Sequence, residues 1–114
     1  MVTGKVIAVD FDGTITRENK YPEIGEMNED AVRVLRKLID NGNSVFLYTC
    51  RQAKELMAAL EVLREHSLSL STYSPYDYTL AAGRKPIADF YIDDRAFASY
   101  GMEMDWKRIE EVLC

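Results

Sequence analysis

Short apolar runs that stop abruptly at a charged or hydroxyl residue constrain the fold of this chain more than any other feature. The runs cover residues 5–9, 45–48 and 88–92. The first is rich in β-branched side chains and stops at Asp10. Runs of this length and composition predict buried strands, and they are far shorter than the roughly 18 residues that a membrane span requires.

Helical patterns separate the predicted strands. Asn28 is the predicted N-cap of a first helix, whose apolar residues recur at helical spacing as far as Ile39, and Gly42 follows its end. The remaining predicted elements are a helix at residues 52–65 with Leu56, Met57, Leu60 and Leu63 on one face, a weak strand at 68–73, a turn or short helix at 75–83 and a helix at 106–113. Alternating strands and helices predict an α/β fold, a Rossmann-like three-layer sandwich around a mostly parallel sheet.

Composition limits the classes of function. The chain has 114 residues, which predicts a single domain over residues 1–114, and a net charge of -5, which argues against a broad nucleic-acid-binding surface. We expect no membrane association. Cys50 and Cys114 are too few for a disulfide framework and predict reduced thiols in the cytoplasm.

Polar residues follow each of the three main predicted strands, where the ligand crevice of an open parallel sheet lies. They are Asp10, Asp12, Gly13 and Thr14 after the first strand, Thr49, Cys50 and Arg51 after the second, and Asp93 and Asp94 after the last, with Lys85 shortly before it. Several carboxylates at one edge repel one another unless a hard cation lies between them, and oxygen ligands suit Mg²⁺. The sequence therefore predicts a magnesium site.

These four segments, in this order, resemble the motifs of the haloacid dehalogenase-like hydrolases in their phosphatase form. The resemblance covers most of the chain and implies a phosphate monoester hydrolase. It implies that Asp10 is the nucleophile that forms an aspartyl-phosphate, and that Asp12 is the general acid and then the base. It also implies that Thr49 binds the phosphoryl oxygens and that Lys85 neutralises charge between phosphate and nucleophile.

The implied metal ligands are Asp10, Asp12 through its backbone carbonyl, Asp93 and Asp94. Asp94 is the favoured direct ligand, because relatives with Gly-Asp at this point place their aspartate there. Asp93 would then orient Lys85 or a bound water. The expected substrate-binding residues are Gly13, Thr14, Thr49, Cys50, Arg51 and Lys85.

The length of two segments bears on substrate. Relatives carry cap domains after the first motif or between the second and third, but here residues 15–27 are long enough only for a flap. A capless site suits a phosphorylated small molecule, a nucleotide or a polynucleotide end, or a homo-oligomer whose neighbour supplies a lid. A catalytically weak phosphate-binding scaffold stays open. A cysteine phosphatase is excluded because Leu56 stands where its arginine belongs, and a receiver domain because its motifs come in another order.

Overall fold

Parallel strands and helices alternate along the described part of the chain. The structure of the protein, a computed structural model, describes residues 1–76, 85–96 and 103–114. Its elements are β1 (Val6–Val9), α1 (Glu29–Asp40), β2 (Ser44–Leu47), α2 (Ala53–Glu65), β3 (Phe90–Ile92) and α3 (Trp106–Leu113). The prediction of an α/β fold is confirmed.

The sheet order explains why the polar residues after the strands meet. β1 is the central strand, with β2 on one side and β3 on the other, and both pairs are parallel. In the register, Val9 lies opposite Leu47 on one side and Ile92 on the other. All three strands therefore end at the same level, and the residues that follow them emerge at one edge of the sheet.

The two faces of the sheet are covered differently in the described residues. Ile7 and Val9 belong to the large hydrophobic cluster, to which all three helices contribute buried side chains. On the other face Val6, Ala8 and Phe46 form a small cluster, with Tyr48 and Ala88 packed against it. The described residues place no helix in that small cluster, so the structure shows a three-stranded parallel sheet with a helical layer.

Local signals set the ends of α1. The Asn28 side chain accepts hydrogen bonds from the backbone N–H groups of Asp30 (3.0 Å) and Ala31 (3.4 Å), as a predicted N-cap should. Two residues after the helix, Gly42 has a φ of 90°, a left-handed conformation that glycine adopts without steric cost. Both predicted boundaries of this helix are confirmed.

The last strand starts later than the sequence predicts. A strand over residues 88–92 was expected, but β3 covers only Phe90–Ile92. The side chain of Asp89 accepts a hydrogen bond from the Val6 N–H (2.8 Å), and the Asp89 N–H donates to the Val6 carbonyl (2.7 Å). A carboxylate thus replaces a backbone carbonyl at the start of the ladder, and regular pairing begins one residue further on.

Three other predicted features differ from the structure or fall outside it. The weak strand at 68–73 is reduced to isolated bridges at Ser71, which pairs with Phe46 in parallel, and at Tyr73. On α2, Met57 is 59% exposed, because Ala59 occupies the buried face in its place. The predicted turn or helix at 75–83 lies almost entirely outside the described residues.

No helix in the described ranges is both long and apolar enough to cross a membrane.

The cap of α1 gives a stability test. Replacing Asn28 with Ala removes the acceptor for two N–H groups at the start of the helix and should lower the free energy of unfolding by about 1 kcal/mol. Asn28→Asp keeps an acceptor oxygen, so it should lower the free energy of unfolding by only about a few tenths of a kcal/mol. Urea unfolding followed by circular dichroism measures both. Equal losses in the two variants would contradict the capping role.

Candidate active site

A pocket opens at the edge of the sheet where the three strands end. It has a volume of about 450 Å³. Its lining residues are Asp10, Asp12, Asn19, Tyr21, Tyr48, Thr49, Cys50, Arg51, Asp93 and Arg95. The sequence predicted six of these as site residues, so the pocket lies where the strand-end argument placed the ligand crevice.

Three carboxylates meet at this edge. Asp10 follows the central strand, and its N–H donates to the Ile92 carbonyl (3.0 Å), which fixes it beside Asp93 and Asp94. One carboxylate oxygen from each of the three lies within 4.8 Å of the others. Within the described residues, this is the group of acidic side chains that could hold a metal ion.

The electrostatics of the cluster are those of crowded acids. Burial, opposed by the hydrogen bond from the Phe11 N–H and reinforced by the charges of Asp93, Asp94 and Asp12, raises the pKa of Asp10 from 3.8 to about 7. Burial and a hydrogen bond with Asp93 also raise the pKa of Asp94. Without a cation, the carboxylates of Asp10 and Asp94 therefore hold protons at a higher pH than exposed carboxylates do.

The carboxylate spacing can be compared with the geometry of Mg²⁺. An octahedral Mg²⁺ binds oxygens at about 2.0–2.1 Å, so its ligand oxygens lie roughly 3–4 Å apart. The three carboxylates, within 4.8 Å of one another, fit such an ion after a small contraction. The donor set consists entirely of hard oxygens, which suits Mg²⁺ better than soft metals.

Gly13 and Thr14 position Asp94 in this cluster. Gly13 has a φ of 75°, and a Cβ atom built on it would lie 2.4 Å from Asp94 Oδ2. The buried Thr14 hydroxyl accepts from the Asp94 N–H (3.1 Å) and donates to its carboxylate (3.4 Å). Their own N–H groups donate to Thr16 Oγ1 and the Phe11 carbonyl, respectively. These contacts lie within the protein, whereas both residues were predicted to bind substrate.

Helix α3 contacts the loop after β1 that contains Gly13 and Thr14. The Trp106 indole N–H donates to the Thr14 carbonyl (2.8 Å), and the Trp106 side chain is almost fully buried. This contact constrains the position of the first motif.

Asp12 is held by a buried ion pair. Arg51 Nε donates to Asp12 Oδ2 and Arg51 Nη2 donates to Asp12 Oδ1, each at 2.7 Å. Arg51 is only 1% exposed and Asp12 is 8% exposed. The hydrogen bonds to Asp12 raise the pKa of Arg51. A bidentate arginine–carboxylate pair is both strong and geometrically specific, so the Asp12 side chain has a fixed orientation.

The remaining donors of Arg51 bind backbone carbonyls. Nη2 also donates to the Glu23 carbonyl (2.7 Å), and Nη1 donates to the carbonyls of Pro22 (3.1 Å) and Glu55 (3.2 Å). A guanidinium has five N–H groups, and all five are therefore occupied. This leaves Arg51 no donor for a substrate, against the prediction that it binds one.

Thr49 and Cys50 line the pocket as predicted, but Lys85 does not. Thr49 is 7% exposed, and its hydroxyl oxygen accepts from the Arg51 N–H (3.1 Å), which leaves its own proton for a ligand. Lys85 is exposed, and its Nζ atom lies 4.6 Å from the centre of the Tyr91 ring. The structure thus brings Lys85 to an aromatic face, and within the described residues no ion pair joins it to the carboxylates of the pocket.

Several lining residues were not among the predicted site residues. Asn19 and Tyr21 come from the flap, defined as residues 15–27, whose ends are joined by a bridge between Thr16 and Met27. Tyr48 is the residue after β2, and its ring meets Tyr91 edge to face at 6.5 Å. The sequence offered no signal for Asn19, and Tyr21 is the single aromatic residue of the flap.

The raised pKa of Asp10 predicts a pH-dependent stability. A carboxyl whose folded pKa lies above its unfolded value stabilises the protein at low pH, and that contribution is lost as the pH rises through about 7. Asp10→Asn mimics the neutral form. In the presence of a chelator it should raise Tm at pH 8 by at least about 4 °C, which corresponds to roughly 1 kcal/mol, and by much less at pH 5.

Thermal melts at the two pH values measure this difference, with Asp40→Asn on an exposed part of α1 as the control. If Asp10→Asn changes Tm equally at both pH values, the raised pKa of Asp10 is contradicted.

Gly13 provides a test of the metal site. Gly13→Ala should weaken Mg²⁺ binding at least about 10-fold, because its Cβ would displace the Asp94 carboxylate. Gly4→Ala is the matched control: Gly4 also has a left-handed φ, 64°, but a Cβ there meets nothing within 4 Å. Both variants share the backbone cost of about 1–2 kcal/mol. Calorimetric titration should show Mg²⁺ binding retained in Gly4→Ala, and equal affinities in both variants would refute the clash.

Comparisons with known proteins give one informative similarity. No protein-family model matches the chain, and no curated protein matches it significantly. The structure is similar to that of a conserved protein from Bacteroides thetaiotaomicron, with a TM-score of 0.81 and 34% sequence identity. The alignment covers 96% of this chain and 89% of that one. The chain therefore belongs to the same family as this conserved Bacteroides thetaiotaomicron protein.

Proposed function

We propose that the protein is a magnesium-dependent phosphohydrolase that attacks a phosphate monoester with the carboxylate of Asp10. The observation that carries the proposal is the cluster of Asp10, Asp93 and Asp94 within 4.8 Å, beside Thr49 in an open pocket. The resemblance of the four strand-end segments to the haloacid dehalogenase-like phosphatases supports it. On the same basis we propose a Rossmann-like three-layer fold of that superfamily, without a cap domain.

In this proposal Asp10, Asp93 and Asp94 would hold Mg²⁺, with the Asp12 carbonyl as a further ligand. The ion supplies charge neutralisation, so that a dianionic phosphate can approach a carboxylate nucleophile. Asp10 attacks phosphorus, the bond to the leaving oxygen breaks, and an aspartyl-phosphate forms. Water then hydrolyses that intermediate. Splitting one difficult hydrolysis into two steps is the advantage of a carboxylate nucleophile.

The other residues bind and orient the phosphate. The Thr49 hydroxyl proton and the Cys50 backbone, both at the pocket wall, would bind phosphoryl oxygens. Lys85 would neutralise charge after leaving the Tyr91 ring. Asp12 would handle protons for the leaving group and the attacking water. Phosphoryl transfer depends mostly on such positioning and electrostatics.

The expected substrate is a phosphorylated small molecule or a nucleotide. The pocket combines the exposed ring of Tyr21 with Arg95, a cation near the acidic cluster. An aromatic ring and a cation suit a ligand that carries a ring or a second anion. A homo-oligomer that completes the cover of the site remains part of the proposal, as does a reducing cytoplasmic setting for the free thiols Cys50 and Cys114.

A phosphate-binding scaffold with little turnover is the second candidate. Two observations favour it: Lys85 lies on Tyr91 instead of in the pocket, and both carboxylate oxygens of Asp12 are bound by Arg51. Both residues therefore contact other groups of the protein in this conformation. Such a protein would bind Mg²⁺ and phosphate without accelerating hydrolysis.

Metal-dependent turnover separates the two candidates. The purified protein should hydrolyse an aryl phosphate with Mg²⁺ and lose activity with a chelator. Asp10→Asn should reduce kcat by at least about 1,000-fold, as expected for loss of a nucleophile. Asp40→Asn, on an exposed part of α1, should keep full activity.

Equal rates with and without Mg²⁺, or an active Asp10→Asn variant, would refute the mechanism. Binding of Mg²⁺ and phosphate without turnover on a broad panel of phosphorylated metabolites and nucleotides would establish the scaffold.

A further inference from the structure

Arg51 joins the first motif and the flap to the start of α2. Its five donors reach the Asp12 carboxylate in the first motif, the Pro22 and Glu23 carbonyls in the flap, and the Glu55 carbonyl in the first turn of α2. The residue is 1% exposed. Its contacts therefore lie within the protein, and any influence on a substrate must pass through the groups it holds.

Two aromatic rings complete the environment of this guanidinium. Its central carbon lies 5.3 Å from the centre of the Phe11 ring and 5.1 Å from that of Tyr21. Phe11 is fully buried beside the strand end, whereas Tyr21 belongs to the flap and is 55% exposed. The flap thus holds Arg51 by two carbonyls and one ring, and it cannot move away without breaking all three contacts.

We propose that Arg51 is a positioning residue that couples the flap to Asp12, so that the orientation of the Asp12 carboxylate and the closure of the flap over the pocket change together. The influence on turnover rests on the proposed function, whereas the coupling between flap and carboxylate does not. Asn19 and Tyr21 line the pocket from the flap, so the coupling links the cover of the site to the side chain that would handle protons.

The geometry requires an arginine in this position. A lysine ammonium has three donors around one nitrogen, whereas the guanidinium reaches five acceptors in a fixed plane. Arg51→Lys keeps the positive charge but cannot serve the carboxylate in a bidentate manner and also bind three carbonyls. Asp12→Asn alters the other partner of the ion pair. The amide presents one acceptor and one donor to Arg51, which offers two donors, so one of the two hydrogen bonds is lost.

A double-mutant cycle tests whether Arg51 acts through Asp12. With an aryl phosphate as substrate, Arg51→Lys should lower kcat about 10-fold or more in the wild-type background. In the Asp12→Asn background the same substitution should change kcat by less than about 3-fold, because the group that it positions is already altered. Equal losses in both backgrounds would overturn the proposal.

Trypsin digestion tests the coupling without turnover. Lys20 is an exposed cleavage site in the flap. Both Arg51→Lys and Asp12→Asn should increase the rate of cleavage after Lys20 by about 10-fold. Arg108→Lys, on the exposed face of α3, is the matched control and should be cleaved in the flap at the wild-type rate.

The Asp12→Asn arm decides the outcome if Arg51→Lys does not fold. Wild-type cleavage of the flap in Asp12→Asn would overturn the coupling. A protein without any turnover whose flap is nevertheless loosened by Asp12→Asn would refute the proposed phosphatase and support the coupling.

Discussion

The ion pair between Arg51 and Asp12 is the interaction on which the arrangement of this site depends. A buried charge is costly unless its partner and its remaining hydrogen bonds are all present. Here the carboxylate accepts two bonds at 2.7 Å, and backbone carbonyls accept the other three donors. The burial of Arg51 therefore requires the flap and the start of α2 to lie where they do, and breaking the pair would leave an uncompensated charge inside the protein.

Because β1 lies at the centre of the sheet beside β3, the acidic cluster combines residues that follow these two strands. Because β2 and β3 flank β1, the residues after β1 lie between Thr49 on one side and Asp93 on the other. Asp10 is anchored through the Ile92 carbonyl, and the Tyr48 N–H donates to the Val9 carbonyl (2.8 Å). The backbone ladder thus continues one residue past the strands and delivers the chemically important side chains at a defined spacing.

The sequence predicted the elements and the strand-end residues well, because both depend on local patterns. Asn28, the register-setting apolar runs and the acids after them carry direct physical signals. The direction in which a long side chain points has no such local signal in the sequence. Arg51 follows a strand, as a ligand-binding residue would, but it turns inward to Asp12 because acceptors from a distant flap surround it. Lys85 contacts the ring of Tyr91, because a long side chain can reach more than one partner. Such choices are decided by tertiary contacts that no local window contains.

Asp10 in the acidic cluster and Asp12 in the buried ion pair are two residues apart but have opposite electrostatic environments. Asp10 has a pKa near 7 because burial and neighbouring carboxylates disfavour its charge, whereas Asp12, two residues later, is fully compensated by Arg51. Gly13 allows the chain to turn between these environments, and Thr14 fixes Asp94 on the acidic side. The fold thus separates the acidic cluster of Asp10, Asp93 and Asp94 from a carboxylate that is already paired with Arg51. Arg51 contacts both the flap and Asp12, so the flap lies one side chain away from Asp12 and on the side of the ion pair.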